Sequence, residues 1–512
     1  MVRLTPEQAL AAAAQDRLVN IVSAPGSGKT TIAAERFGYQ RHLAGDDRGV
    51  LGLSFNRAAV AELRARISAR WGGGAISPPH RVMTFDHLHV ELLHRLLDAG
   101  LVNWPTGLRE LDVRDDYRGT AGFRFLAPPS NFLRVAVLDG QRNVVSRGRR
   151  VERPTTGIGN VAAHDALLSA GIVSHDDVRN ILLSAMQVDE LSEFAATWLA
   201  ENYRALVIDE VYDAAFLDLK VAHLAAEAGL DVTLIGDPWQ ALYKWRGATP
   251  DEVQRLLGAT TERFVEYQQP QSFRFVGDQM PELARALRNG EPVSLPSGTS
   301  EQVDVALART WRPLWSAGDN ILPLSFRTIE NATDAALNLL LDVVTRGRLG
   351  VSSFGREAAI ARLGLDRERF LAEQDRVLQP IVAGLRAGRA PADALNELRN
   401  AIRDLGVTRP RRLGSAAEAE RVAQVERLAA RLVKDSVVPG MTVFQAKGRE
   451  WERVGVILTR AQRALLSTGL HELEDEHCVV YVALTRARRE CIQLDGDPAL
   501  DEGTLDIPAD DD

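Results

Sequence analysis

The 512-residue sequence predicts an α/β protein with two parallel-sheet cores, each carrying a mainly helical insert. Three observations point there. Short β-branched runs alternate with helical stretches in two separate blocks, the pattern of a parallel sheet wrapped by helices. Within each block lies a long stretch with few β signals and many Ala, Leu and Arg residues. The chain is also too long for one hydrophobic core, since domains run to roughly 100 to 200 residues.

In the first block the runs are 18–23, 50–55, 82–85, 205–209 and 232–237; in the second they are 303–308, 321–326, 441–444, 454–458 and 491–494. The expected division is a first core over 1–90 and 198–262 with its helical insert over 91–197. A second core follows over 263–345 and 432–497 with a reduced helical insert over 346–431, and then an acidic tail over 498–512. Each insert holds a basic cluster, Arg142, Arg147, Arg149, Arg150 and Arg153 in the first and Arg409, Arg411 and Arg412 in the second. Such clusters are solvated loops or phosphate contacts.

Apolar residues make up 45% of the chain and charged residues 25%, ordinary values for a globular protein. No run reaches the roughly 18 to 20 apolar residues of a membrane span, and the start MVRLTPEQALAAAAQ lacks the basic-then-apolar layout of a secretory signal. A cytoplasmic protein with no membrane partner is expected. Cys478 and Cys491 are too few for a disulfide framework or a four-ligand zinc site and read as packing residues. The net charge is −8, but the last residues from Asp495 carry eight acids and no base, so the body is near neutral. Charge therefore leaves nucleic-acid binding open.

The run LVNIVS leads into Ser23-Ala24-Pro25-Gly26-Ser27-Gly28-Lys29-Thr30, with Thr31 and a helical stretch after it. This is a phosphate-binding loop: small residues let backbone N–H groups close on the phosphates, Lys29 reaches the β- and γ-phosphates, and the Thr30 hydroxyl can hold Mg²⁺. Ser23 stands where Gly or Ala is commoner. A carboxylate pair is expected on another strand of the same sheet, and ALVI ends in Asp209-Glu210. Asp209 is the metal-side carboxylate and Glu210 the base or water-positioning group. These two motifs define an NTPase and no more.

Further segments narrow the class. They are Leu4-Thr5-Pro6-Glu7-Gln8, Gly236-Asp237-Pro238-Trp239-Gln240 with Tyr243-Lys244-Trp245-Arg246-Gly247-Ala248 close behind, Thr442 to Glu450 (TVFQAKGRE), and Tyr481 to Ala487 (YVALTRA). In this order, with the two motifs between, the series resembles the UvrD/Rep/PcrA-like superfamily 1 DNA helicases, in a compact form similar to the antiphage Gabija helicase-like type. The resemblance spans residues 4 to 489; the inserts add nothing to it.

It implies two RecA-like P-loop domains facing each other across an ATP cleft, with single-stranded DNA across the top. Gln8 offers a donor and an acceptor for the adenine edge. Gln240 senses the γ-phosphate and couples hydrolysis to Tyr243 and Trp245. Arg274 and Arg486 act as cationic fingers on the transition state, Glu450 contacts the nucleotide sugar, and Phe273 lies beside the base. Phe55, Asn56, Phe85, His87, Tyr243, Trp245 and Arg246 occupy the family's DNA-contact positions, the aromatic ones suited to sequence-tolerant stacking. The cofactors implied are ATP and Mg²⁺, the partners single strands or single-strand–duplex junctions, and the activity an ATP-dependent DNA helicase or translocase moving 3′ to 5′. The alternative is a DNA-stimulated ATPase that senses or recruits beside a nuclease or other defence or repair subunit. A module that holds ATP without turnover is a further rival, which the intact Lys29, Glu210, Arg274 and Arg486 oppose. The chain departs from the family at Tyr212, usually Gln, at Phe444, usually His, and at Asp86, a common His.

Overall fold

The computed structural model describes residues 4–43, 45–114, 126–127, 132–150, 161–244, 247–403 and 405–495. Trp245, Arg246, Arg153 and the acidic tail lie outside the described residues. The chain divides into two compact units, Met1–Phe273 and Arg274–Asp512.

In the first unit the strands, in chain order, are β1 (Leu18–Ser23), β2 (Gly49–Ser54), β3 (Arg81–Thr84), β4 (Asp112–Arg114), β5 (Leu126–Ala127), β6 (Phe132–Leu138), β7 (Val144–Arg150), β8 (Ile172–Ser174), β9 (Tyr203–Asp209), β10 (Asp231–Gly236) and β11 (Val265–Gln269). Six of them form a sheet in the order β11-β1-β10-β9-β2-β3, and every pairing is parallel. All six residues of β2 are buried, as are the last five of β10. Parallel strands covered on both faces read as continuous apolar runs, which is why the sequence exposes them. Phe37 on the helix Lys29–His42 and Leu63 and Ile67 on the helix Arg57–Trp71 close one face over Val19, Ile21, Val207 and Ile235.

The expected boundary at 262 is corrected. Strand β11 pairs with β1, Val19 opposite Val265, so the first unit runs on to Phe273. Its sequence VEYQQ has few apolar residues because it is an edge strand, largely open to solvent.

The first insert also differs from a mainly helical expectation. Beside the helices Val161–Ser169, His175–Ala185 and Asp189–Asn202, it contains a short parallel pair, β4 with β8, and an antiparallel sheet, β5-β6-β7. The turn between β6 and β7 is set by Asp139, whose Oδ1 accepts the N–H groups of Gln141 and Asn143 at 2.8 and 2.9 Å, with Arg142 at φ 63°. The β-branched residues that mark this hairpin are flanked by Arg, Gly and Gln and so read as a polar loop.

The second unit has β12 (Ser297–Gly298), β13 (Val305–Ala308), β14 (Ile321–Pro323), β15 (Val438–Thr442), β16 (Trp451–Ile457) and β17 (Ala487–Leu494), ordered β12-β17-β16-β13-β15-β14 and again all parallel. Helices Ala332–Leu349, Arg356–Leu363, Arg367–Arg386, Pro391–Arg403 and Ser415–Leu432 pack around Leu340, Phe370, Leu378, Leu395, Leu398 and Leu428. Buried ion pairs pin these helices together: Arg421 Nε to Asp334 Oδ1 at 2.8 Å, and Arg399 to Glu418 at 2.7 Å. Cys478 and Cys491 are buried free thiols, and burial pushes the Cys491 thiol well above its ordinary value. Among the described residues no helix is long and apolar enough to cross a membrane.

Candidate nucleotide and nucleic-acid site

The phosphate-binding loop joins β1 to the helix Lys29–His42. Gly28 caps that helix at φ 85°, ψ 32°, a left-handed conformation that costs glycine little, and it leaves no side chain over the first-turn N–H groups. A helix N-terminus of this kind favours anions. The loop is held from behind: Ala24 N–H donates to Gln269 O at 2.9 Å, and Phe273 N–H donates to Gly26 O at 2.9 Å. The Ser27 hydroxyl is buried in the loop with no hydrogen-bond partner, a polar atom suited to a phosphate oxygen. Phe273, about half exposed, lies next to the loop in the first unit, which agrees with a ring beside a base.

Gln8 is placed against the same loop but is already engaged. Its Nε2 donates to Ser27 O at 2.8 Å and its Oε1 accepts the Thr5 N–H at 3.0 Å, closing a capping box on the helix Pro6–Ala12. The structure therefore assigns it a strap on the loop, with one amide hydrogen over for an adenine edge.

Lys29 is buried and faces Glu210, Nζ to Oε1 at 3.8 Å. The Thr30 hydroxyl hydrogen-bonds to the Asp209 carboxylate. Asp209 is 2% exposed, and burial, then the charge of Glu210, pushes its carboxyl up to about 7. Two hard oxygen donors brought together in this way fit Mg²⁺, which prefers carboxylate, hydroxyl and phosphate oxygens. Glu210 is held at φ 58°, ψ 46°, in the left-handed region where a non-glycine residue stores strain. Its N–H bonds Asp209 Oδ1 and its carbonyl accepts the Asp213 N–H, so the turn after β9 directs the carboxylate away from the strand axis.

Gln240 follows β10 on a short 3₁₀ turn. Its Nε2 donates to Asp237 Oδ2 at 2.7 Å, while Asp237 Oδ1 accepts the Trp239 N–H. Asp237 was not expected in the site; its signal was the acid three residues ahead of a buried amide. Tyr212 is buried on Gly236, where a Cβ would meet its ring at 2.6 Å. The departure at Tyr212 thus places a ring over the C-terminal end of β10.

Of the expected DNA contacts, Phe55 and Tyr243 come together, their rings stacked 5.3 Å apart at 17°. Asn56 caps the helix Arg57–Trp71 by accepting the Ala59 N–H at 2.8 Å. His87 is exposed beside Arg81. Phe85, expected as a stacking surface, is instead 5% exposed and tilted on His89, a packing role. Asp86 ties the helix Phe85–Asp98 to the helix His175–Ala185 through Arg179, Nη2 to Oδ1 at 2.6 Å.

In the second unit Arg274 donates from Nε to Glu450 at 2.9 Å and from Nη1 to the Thr485 carbonyl at 2.7 Å. Two expected nucleotide residues are thereby brought side by side. Arg486 is 1% exposed, with Nε on the Val482 carbonyl, so this structure holds it as a buried anchor of the helix Asp475–Leu484. Phe444 is buried in the short helix Val443–Ala446.

The fold and the first unit's site define a P-loop nucleotide-binding protein with RecA-like parallel sheets. An AAA domain family model matches residues 6–246. DNA helicase II of Salmonella typhimurium is 25% identical over 65% of this chain and 45% of its own length. ATP-dependent DNA helicase PcrA of Bacillus subtilis is 24% identical over 48% of this chain and 34% of its own. ATP-dependent DNA helicase UvrD2 of Mycobacterium tuberculosis is 23% identical over 92% of this chain and 75% of its own. The chain is similar to these UvrD- and PcrA-type DNA helicases and spans about half the length of the DNA helicase II relatives.

Proposed function

We propose that the protein is an ATP-dependent motor on single-stranded DNA, a helicase or translocase that moves 3′ to 5′. The observation that carries this reading is the segment Asp237 to Tyr243. Its buried end positions Gln240 through Asp237, and three residues on Tyr243 stacks on Phe55. One short segment thus joins the amide we assign to the γ-phosphate to an aromatic pair on which bases of any sequence could stack. The relatives' names support ATP and DNA as the ligands.

In this reading the loop amides, Ser27 and Lys29 hold the β- and γ-phosphates, and Phe273 and Gln8 flank the base. Thr30 and Asp209 would hold Mg²⁺, which neutralises charge on the phosphate oxygens when bound. Glu210 orients the attacking water and accepts its proton, and Lys29 neutralises the charge that develops at the transferred phosphoryl group. The test is ATP turnover with and without single-stranded DNA. Strong stimulation supports the motor, and turnover indifferent to DNA sinks it. Stimulation without strand separation or movement points to the sensor or recruitment alternative.

A further inference from the structure

A cation at the mouth of the phosphate-binding loop takes no part in the proposed reaction. Arg66 lies on the helix Arg57–Trp71, and its Nη1 donates to the Thr31 hydroxyl at 2.6 Å, from 35 residues further along the chain. On its other side Nε and Nη2 donate to Glu62 Oε1 at 3.1 and 2.7 Å, one helical turn back. A guanidinium gripped at both ends is held in one plane, so it loses little rotamer freedom when a ligand arrives. Its side chain stays 44% exposed, so part of that plane is open to solvent.

Thr31 marks which end of a nucleotide this cation meets. A Cβ at Gly28 would meet Gln8 Nε2 at 3.0 Å and the Thr31 Cβ at 3.8 Å, so these two side chains stand together on one side of the loop. Successive helical residues point about 100° apart, so Thr30 and Thr31 face different parts of the nucleotide. Thr30 reaches Asp209, and Lys29 faces Glu210. Arg66 thus sits with Gln8, to which the base is assigned, and not with the carboxylates of the metal end.

We propose that Arg66 is a further nucleotide-binding residue, its guanidinium lying flat on the purine base. This rests on the nucleotide reading above and names a group that grips the base. A guanidinium is planar, weakly hydrated and attracted to the face of a π system. Gln8, already engaged with Ser27 and Thr5, offers the base only an edge contact through its remaining amide hydrogen. Phe273, tied to the same loop at Gly26, supplies a second flat group.

The experiment is isothermal titration of wild type, Arg66→Ala and Arg66→Lys with ADP and with inorganic tripolyphosphate, both in Mg²⁺. Wild type should bind ADP more tightly than tripolyphosphate. Arg66→Ala should bind ADP on the order of tenfold more weakly. It should bind tripolyphosphate as wild type does, which also shows that the loop is intact. Lysine keeps the charge but not the plane, so Arg66→Lys should stay within about threefold of the alanine variant for ADP. The proposal is overturned if Arg66→Ala binds ADP as wild type does, if it loses tripolyphosphate by the same factor, or if wild type gains nothing from the base. It is overturned equally if lysine restores full affinity, the sign of a charge on phosphate in place of a plane on the base. Wild type that binds neither ligand refutes the nucleotide reading itself, a distinct result.

Discussion

At the scale of single residues the site is governed by what burial does to charge. Asp209 is enclosed beside a second carboxylate, so its carboxyl lies near 7 instead of 3.8. Between about pH 4 and 7 the unfolded chain has released this proton and the native one has not, so stability falls as pH rises through that window and is flat above it. Asp209→Asn removes the cost, so its melting temperature should exceed that of wild type at pH 8 by more than at pH 5. The measurement is thermal unfolding in EDTA without nucleotide; an equal difference at both pH values refutes the shift. Glu210→Gln keeps the shape of the turn and removes the proposed base. ATP hydrolysis should fall on the order of 10²- to 10⁴-fold while nucleotide affinity is kept, which a binding titration alongside turnover will show. Loss of both together would mean that Glu210 acts by holding Lys29.

At the scale of elements, the residues proposed for the site lie on the loops after the strands. Tyr243 sits on the loop that follows β10, and its ring covers Phe55 at the end of β2. Tyr243→Ala should weaken single-strand binding by about 1 to 3 kcal/mol, the value of one stacked base. DNA-stimulated turnover should then need correspondingly more DNA; an unchanged half-saturation concentration would make the pair mere packing. In the second unit the Asp334–Arg421 pair is shut away from water on both sides, 1% and 3% exposed. Asp334→Ala leaves an arginine buried without its main carboxylate and should cost about 3 to 5 kcal/mol in urea unfolding. A loss under 1 kcal/mol would show that Glu330 and Glu420, both near Arg421, suffice.

At the scale of the whole molecule, the proposed directional movement would be a property that no single element has. A streptavidin block on the 3′ end of a single strand lies behind a 3′-to-5′ motor and should stay bound, while one on the 5′ end should be displaced in an ATP-dependent way; the reverse outcome refutes the direction. Much of this protein was legible in its sequence. The phosphate-binding loop, Asp209-Glu210 and ten core strands show because buried parallel strands must be continuously apolar and a phosphate loop must be small and glycine-rich. Both are local demands, met by neighbouring residues. Tertiary structure alone decided the rest: that β11 closes the first sheet, that Phe85 is core while Phe55 and Tyr243 meet, that Gln8 straps the loop, and that Arg66 reaches Thr31. Each depends on pairing between residues far apart in the chain, and that pairing is set by which surfaces fit and bury together, a property no single stretch of sequence carries.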